Sequence, residues 1–512
     1  MLRVVLGEGK RWPLFASAII VAAVALLGLT VFTSDKLSTV GPLLAIGVVL
    51  VVWHQTLFRW RALMTLILLV ILFIPIKRYS LPASLPINLE PYRLVVFFVA
   101  VGWITSLLID PRVRFRKTAI DGPLILFAFV ALISDIFNKT RVNSVQSEVV
   151  KKLLFFLSFF IVFYLTVSVV KRARDIDFVL RVLVGGGAVL GFLAIVERNT
   201  GFDLFNHLQS VFPFLHLDSL NVPRLPPRGG RLRVYASAQH PIALGAALTM
   251  LVPFAIYLTR QQGKRWWWWT AAALLTLGSM TTGSRTSVMM FIAMGVIYVL
   301  WRPKVVRRFW PALIPALLAI HFAAPGALGT VRSSFFPKGG IVAQQQNAAV
   351  GHGRLATLGP ALRTEFDPNP LVGEGFGTRV STPLPNVPQN GPILDDQWLG
   401  ILLETGVAGT FALLWVFVRL IRRLWPHARD DNSPWGWLMI AGIASVAGFA
   451  VSMFFYDAFS FIQVTFMLFI LMGVSASALM APEYVRTTAQ ATRREARTVA
   501  APPVGGPQGQ PG

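Results

Sequence analysis

The chain has 512 residues, of which 55% are hydrophobic and 14% charged. A water-soluble protein carries roughly a quarter charged residues, so this composition excludes an ordinary soluble globule and points to a surface that faces lipid. The absence of cysteine excludes disulfides, thiol nucleophiles and thiolate-bound metals. The formal net charge of +24 would suggest nucleic acid in a soluble chain. In a membrane protein it reflects the Lys and Arg collected by cytoplasmic loops, and no nucleic-acid partner is expected.

A bilayer core needs about 20 apolar residues in a helix. In chain order, apolar runs predict spans at 13–33, 39–56, 62–76, 92–109, 122–137, 153–170, 178–196, 240–259, 266–283, 286–301, 309–325, 397–418, 434–455 and 458–480. Several sit near the lower length limit, among them 62–76, 122–137 and 309–325. The expectation is an all-α, polytopic membrane helix bundle of about 14 transmembrane helices. The first run follows Arg3, Lys10 and Arg11 and is longer than a signal-peptide core, so it is read as a retained helix.

With the N-terminus cytoplasmic, the inner loops include Arg59–Arg61, Arg112–Lys117, Lys171–Arg174, Arg260–Arg265, Arg302–Arg308 and Arg419–Arg429, each short and basic. The positive-inside rule then places both termini in the cytoplasm. The chain divides into an N-terminal bundle (1–196), a first long outer loop (197–239), central spans (240–325), a large outer loop (326–396), C-terminal spans (397–480) and a tail (481–512) whose Ala, Pro, Gly, Gln and Arg content predicts disorder.

Loops as long as the two outer ones are uncommon without a function or disorder. Both carry arginines, including Arg224, Arg228, Arg231 and Arg233 in the first and Arg332, Arg354, Arg363 and Arg379 in the second. The acids of the first, Glu197, Asp203 and Asp218, are too few to balance them. Guanidinium groups bind phosphate bidentately, so a cluster beside the bilayer suits a lipid head group carrying phosphate or diphosphate. Contact with ordinary anionic lipid or loop carbonyls accounts for any single arginine as well. Arg285, in the Thr282-Gly283-Ser284-Arg285-Thr286 turn, is flanked by apolar residues on both sides. A charge there is expensive and usually functional, snorkelling being the alternative.

In the second loop, Leu355, Leu358, Leu362 and Phe366 recur at helical spacing from Arg354. This predicts an amphipathic helix on the outer surface, with Pro360 as a kink. Gly373-Glu374-Gly375-Phe376-Gly377 follows as a turn where backbone can approach a ligand, or as a plain loop. The loop closes on Asp395-Asp396, just before a span. Adjacent carboxylates raise each other's proton affinity and make a general base; Asp is also a favoured helix N-cap. Glu404, about two turns into that span, must face the interior and needs a partner. The histidines have no ligand spacing, and no metal or cofactor is expected.

Four passages taken in order resemble the O-antigen ligase and polymerase superfamily of bacterial membrane glycosyltransferases. They are Arg233-Val-Tyr-Ala-Ser-Ala-Gln-His240-Pro241, Gly283-Ser284-Arg285, Arg354 with Pro370-Leu371-Val372-Gly373-Glu374-Gly375-Phe376-Gly377, and Leu399 through Glu404-Thr405-Gly406-Val407-Ala408-Gly409. The likeness covers roughly residues 230–420. It implies an enzyme of the bacterial cytoplasmic membrane acting on the outer face, in which an undecaprenyl-diphosphate-linked glycan is the donor and a glycan or glycolipid the acceptor. It further implies inverting, metal-independent transfer, with Arg233, Arg285 and Arg354 holding the diphosphate. Arg231 and His240 are secondary candidates for the cavity wall. The ligases of this family carry His-Asn where this chain has Asp395-Asp396. That departure favours a polymerase over a ligase, with Asp395 as base and Asp396 as cap or helper. Two other readings are a non-enzymatic transporter of polyprenyl-linked glycans and a cell-wall glycan polymerase. The transporter needs broken helices at mid-membrane, and the Ser-Arg turn counts against the cell-wall enzyme.

Overall fold

The structure, a computed structural model, describes residues 60–81, 90–109, 115–219, 222–223, 233–261, 265–323, 354–380, 394–430 and 433–483, with 329, 332 and 335. The expected spans 13–33 and 39–56, most of the tail and Arg231 lie outside the described residues.

Helices make up almost all the regular structure. In chain order they are α1 (Trp60–Phe73), α2 (Pro91–Ile109), α3 (Asp121–Phe137), α4 (Lys139–Ser144), α5 (Gln146–Val169), α6 (Ala173–Thr200), α7 (Leu208–Val211), α8 (Pro241–Thr259), α9 (Arg265–Thr281), α10 (Arg285–Trp301), α11 (Pro303–Phe309), α12 (Leu313–Ala323), α13 (Arg354–Ala361), α14 (Gln397–Leu424), α15 (Pro434–Ser452) and α16 (Ile462–Leu479). A single two-residue ladder among the described residues pairs β1 (Tyr79–Ser80) antiparallel with β2 (His216–Leu217).

Seven of the described helices are long and apolar enough to cross a membrane: α2, α5, α6, α8, α14, α15 and α16. This makes the chain an all-α, multi-pass membrane protein. The apolar helices α1 and α10 are shorter, with 14 and 17 residues. The expected span 309–325 is broken at the end of α11 by the 3-10 turn Trp310–Ala312. What remains, α12, has 11 residues, about 16 Å at helical rise, roughly half of a bilayer core.

Burial separates inner from peripheral helices. α16 and α8 are enclosed almost completely, at 94% and 89% of their spanning windows, whereas α2 is 33% buried. Small residues allow the close crossings of the centre. Between α6 and α9, a Cβ on Gly278 would strike the backbone of Gly191, and one on Gly191 the backbone of Leu274. Exposed Leu, Ile and Phe, such as Phe97, Ile125, Phe129 and Phe411, cover the peripheral helices.

Polar contacts sort the connecting segments into two sets. One set joins Arg61 to Asp175 at 3.5 Å, Arg116 to the carbonyls of Val167, Val170 and Met480, Arg419 to Ala119, and Arg302 to the carbonyls of Arg429 and Asp430. The other joins the segments after α1, α3, α6 and α13 with the turn between α15 and α16, and its segments hold Arg233, His240, Asp395 and Asp396.

Candidate functional site

At the first cluster, Arg78 occupies the centre. It follows α1 and is 1% exposed. Its Nη1 donates to Asp203 Oδ2 at 3.1 Å and to Asn206 Oδ1 at 2.9 Å, and its Nη2 to the carbonyls of Ala236 and Ala238. The guanidinium also lies 5.0 Å from the Tyr235 ring centroid, within cation–π range. Burial pushes the Asp203 carboxyl up, opposed by Arg78 and by the Phe205 amide that donates to it at 2.8 Å. Glu197 accepts the amides of Tyr235 (3.3 Å) and Ala236 (2.9 Å). Ala236 itself sits at φ +42, an unfavourable region for a residue with a Cβ. The stretch 233–240 is therefore fastened by an arginine about 155 residues earlier in the chain. Two of the three acids read as too few to balance the loop arginines, Asp203 and Glu197, are engaged here by Arg78 and by backbone amides. Arg233 joins them at the wall of a cavity of about 270 Å³ that Glu197 and Asp203 also line.

From this cluster the stretch leads into α8. Ser237 Oγ donates to Leu72 O at 2.5 Å, and Gln463 Nε2 donates to Ser237 Oγ at 3.1 Å. Gln239 Oε1 accepts the Ile462 amide at 3.0 Å. His240 is the N-cap of α8, accepting the Ile242 amide through Nδ1 at 3.2 Å, with Pro241 in the first turn. Its ring lies 5.6 Å from that of Phe461.

At the Ser-Arg turn, Gly283 adopts φ +59 and Ser284 caps α10, accepting the Thr286 amide at 3.2 Å. Arg285 is the first residue of α10 and half-buried. The turn stands close to the start of α8, since a Cβ on Gly245 would meet the side chains of Ser287 and Thr282.

A different kind of bond organises the second cluster. α14 is interrupted at Gly406, whose backbone is at φ +65, ψ −166. The passage from Pro370 to Gly375 inserts across the break. The Glu374 amide donates to Leu403 O and the Gly375 amide to Glu404 O, both at 3.0 Å; in return the Val407 amide donates to Pro370 O at 2.9 Å and that of Ala408 to Leu371 O at 3.2 Å. Gly373, Gly375 and Gly377 all have positive φ. A Cβ on Gly373 would lie 2.6 Å from the Gly406 nitrogen and one on Gly406 2.6 Å from the Val372 nitrogen. The glycine run thus approaches another stretch of this chain's backbone. From α3, Ser134 Oγ donates to Glu404 O at 2.7 Å and Asn138 Nδ2 to Gly373 O at 2.8 Å.

Glu404 finds its partner in Lys152, at 3.3 Å, which also donates to Arg379 O at 2.9 Å. Arg141 pairs with Glu374 and Arg379 with Glu365, each at 2.6 Å. Asp457, in the turn before α16, is exposed, and its carboxylate accepts from Ser460 Oγ. Lys152 and Arg78 carry no local signature, and only their distant partners make them stand out.

The expected amphipathic helix is present as α13, with Pro360 inside it, and it passes into a π-turn at Leu362–Phe366. Its apolar residues Ala361, Leu362 and Phe366 pack on Leu394, Leu399 and Leu403, so this face is covered by α14. Arg354 begins α13. Asp396 is the N-cap of α14, accepting the Leu399 amide at 3.1 Å through Oδ1. Asp395, half-buried, stands at φ +49, a conformation that costs energy and often marks a functional position. Among the described residues no group of His, Cys, Asp and Glu is arranged to hold a metal. Comparison with known proteins adds no relative: no family model matches the chain, and no curated protein matches it.

Proposed function

We propose that the chain is a glycosyltransferase of the bacterial cytoplasmic membrane, working on the outer face, that polymerises or ligates glycan from an undecaprenyl-diphosphate carrier onto an acceptor glycan. One observation carries the reading. Two of the passages that resemble the O-antigen ligase and polymerase superfamily, Pro370–Gly377 and Glu404–Gly409, are mutual backbone partners across the break in α14. A chance likeness of short glycine motifs gives no reason for them to interlock. The polar contacts that group the segments after α1, α3, α6 and α13 support a common side for them, and the basic loops expected inside are the reason for taking it as the outer one.

Asp395 takes the proton of the acceptor hydroxyl. The oxygen then attacks the anomeric carbon from the side opposite the carrier, the bond to the diphosphate oxygen breaks, and the configuration inverts. Charge develops on the departing lipid diphosphate, where guanidinium groups stabilise it best. Arg233, Arg285 and Arg354 are the proposed clamps. Asp396 serves as the cap that fixes the start of α14.

One feature favours a second reading, a transporter of polyprenyl-linked glycan. The break at Gly406 lies nine residues into α14, about 14 Å at helical rise, next to an ion pair, and broken helices at mid-membrane are a transporter trait. Incubating the purified protein with lipid-linked oligosaccharide separates the two. A ladder of lengths identifies a polymerase and a single transfer a ligase. No product, with scrambling of the lipid across vesicles, identifies the transporter. Full activity in Arg285→Lys would count against bidentate phosphate binding at that turn.

A further inference from the structure

Apart from Arg233, the residues lining the cavity beside the Arg78 cluster have no part in the transfer chemistry above. Gly201, at φ +74, ends α6 in a left-handed cap and turns the chain into the cavity wall. The floor is polar and buried: Glu197 and Asp203 are each 8% exposed. The rim is aromatic and open. Phe202 is 50% exposed and stacks on the His207 ring at 4.6 Å and 24°. His207 Nδ1 lies 2.9 Å from the Asp203 carbonyl, which can only accept, so Nδ1 carries the proton and Nε2 of the neutral ring is an acceptor. Asn206 Nδ2 donates to Tyr235 OH at 3.4 Å, which fixes the phenol at the wall.

These features select a ligand class. On the floor, Asp203 is already paired with Arg78 and Glu197 with two backbone amides, and their remaining lone pairs accept from hydroxyl donors. The nearby guanidinium groups of Arg78 and Arg233 repel a divalent cation. A volume of about 270 Å³ lies just under the usual range for small-molecule sites, roughly 300–1,000 Å³, and excludes a polyprenyl tail. A compact ligand with hydroxyl donors on one side and an apolar C–H face on the other satisfies floor and rim together. We propose that this cavity seats one neutral sugar ring of the acceptor glycan, its hydroxyls on Glu197 and His207 Nε2 and its apolar face against Phe202. The word acceptor rests on the function proposed above; the sugar site does not.

Saturation-transfer NMR on the full-length protein in detergent, with a panel of neutral and N-acetylated hexoses as probes, tests the site without any turnover. At least one hexose is expected to receive saturation, and Phe202→Ala and His207→Ala, both at exposed positions, are expected to reduce it at least fivefold. No saturation with any hexose, or equal saturation in wild type and both variants, overturns the proposal. In the transfer assay the same variants are expected to raise the acceptor KM roughly tenfold while the donor KM holds. Transfer that proceeds with an unchanged acceptor KM removes the subsite and leaves the glycosyltransferase standing. Sugar binding that the variants abolish, in a protein that transfers nothing, keeps the subsite and removes the enzyme.

Discussion

Around Arg78 the chain is fastened by charge, and around Gly406 it is fastened by backbone. The first arrangement ties 233–240 to the end of α1 through one buried guanidinium and its carboxylate; the second ties 370–375 to α14 through reciprocal amide bonds that only glycine permits. A buried charge pair holds its place because either partner alone is intolerable. A glycine interlock holds because no side chain can intervene. The two should therefore fail differently, one with pH and one without.

The largest effect is expected at Arg78. Replacing it by Met strands Asp203 in a buried site, at a cost of about 3–5 kcal/mol, read as a lowered melting temperature in detergent. Arg78 now holds the Asp203 carboxyl down against burial. Without it, the folded-state pKa of Asp203 rises further above its unfolded value. A group raised in this way contributes stability that is full below the carboxylate range and is lost as pH rises through the folded value. The Arg78→Met penalty should therefore be smallest under acid conditions and grow toward neutral pH, and Asp203→Asn in the same background should flatten it. A penalty that does not change with pH would break the contrast.

Next in size is Gly406→Ala. The backbone at φ +65, ψ −166 is disfavoured for any residue with a Cβ, and the atoms it would meet are the backbone of Leu371 and Val372. About 2–4 kcal/mol is expected, the same at every pH. Gly373→Ala should cost a similar amount, and the double variant less than the sum, because each alone opens the same interlock. Additive losses would mean that the two glycines act separately.

A smaller effect is expected at Lys152, which is one-third exposed. Lys152→Met leaves Glu404 beside the α14 break without its ammonium, but water can reach the pair, so about 1–2 kcal/mol is lost. Glu404→Gln in the same chain should restore most of it. If it restores nothing, Lys152 acts through its bond to Arg379 O.

How far these regions were legible in the sequence follows from where their partners lie. The seven long apolar helices were legible, because apolar runs of bilayer length depend on local composition alone, whereas the break in 309–325 was not. Glu404 was legible as a carboxylate in need of a partner, since a lone acid in an apolar helix is an anomaly in any fold. Its partner was not, because Lys152 is 252 residues away, in the polar first turns of α5. The Gly373–Gly377 run was legible as a close approach but not as an approach to α14, for the surface it meets is 30 residues further along. Arg78 left no mark at all: a basic residue just past an apolar helix looks the same whether it faces water or holds a distant loop. Reading Leu355–Phe366 as a surface helix did not reveal that Leu362 and Phe366 pack on Leu399 and Leu403, because those two leucines read only as part of a span.

The smallest stability effect belongs to the pair closest to the proposed chemistry. Asp395 and Asp396 are neighbours with separable duties. Asp396→Ala removes an N-cap and should cost about 1 kcal/mol, whereas Asp396→Asn keeps a capping side chain and should cost almost nothing. At Asp395 the backbone is left-handed, a conformation that Asn tolerates as well as Asp, so Asp395→Asn should melt within about 0.5 kcal/mol of the parent. Its amide cannot take a proton, however, and glycan transfer should fall by at least two orders of magnitude, in line with removal of a general base. The reverse outcome, in which Asp396→Asn loses transfer and Asp395→Asn keeps it, would move the base by one residue. It would also leave the φ of +49 at Asp395 as the geometry that aims its neighbour.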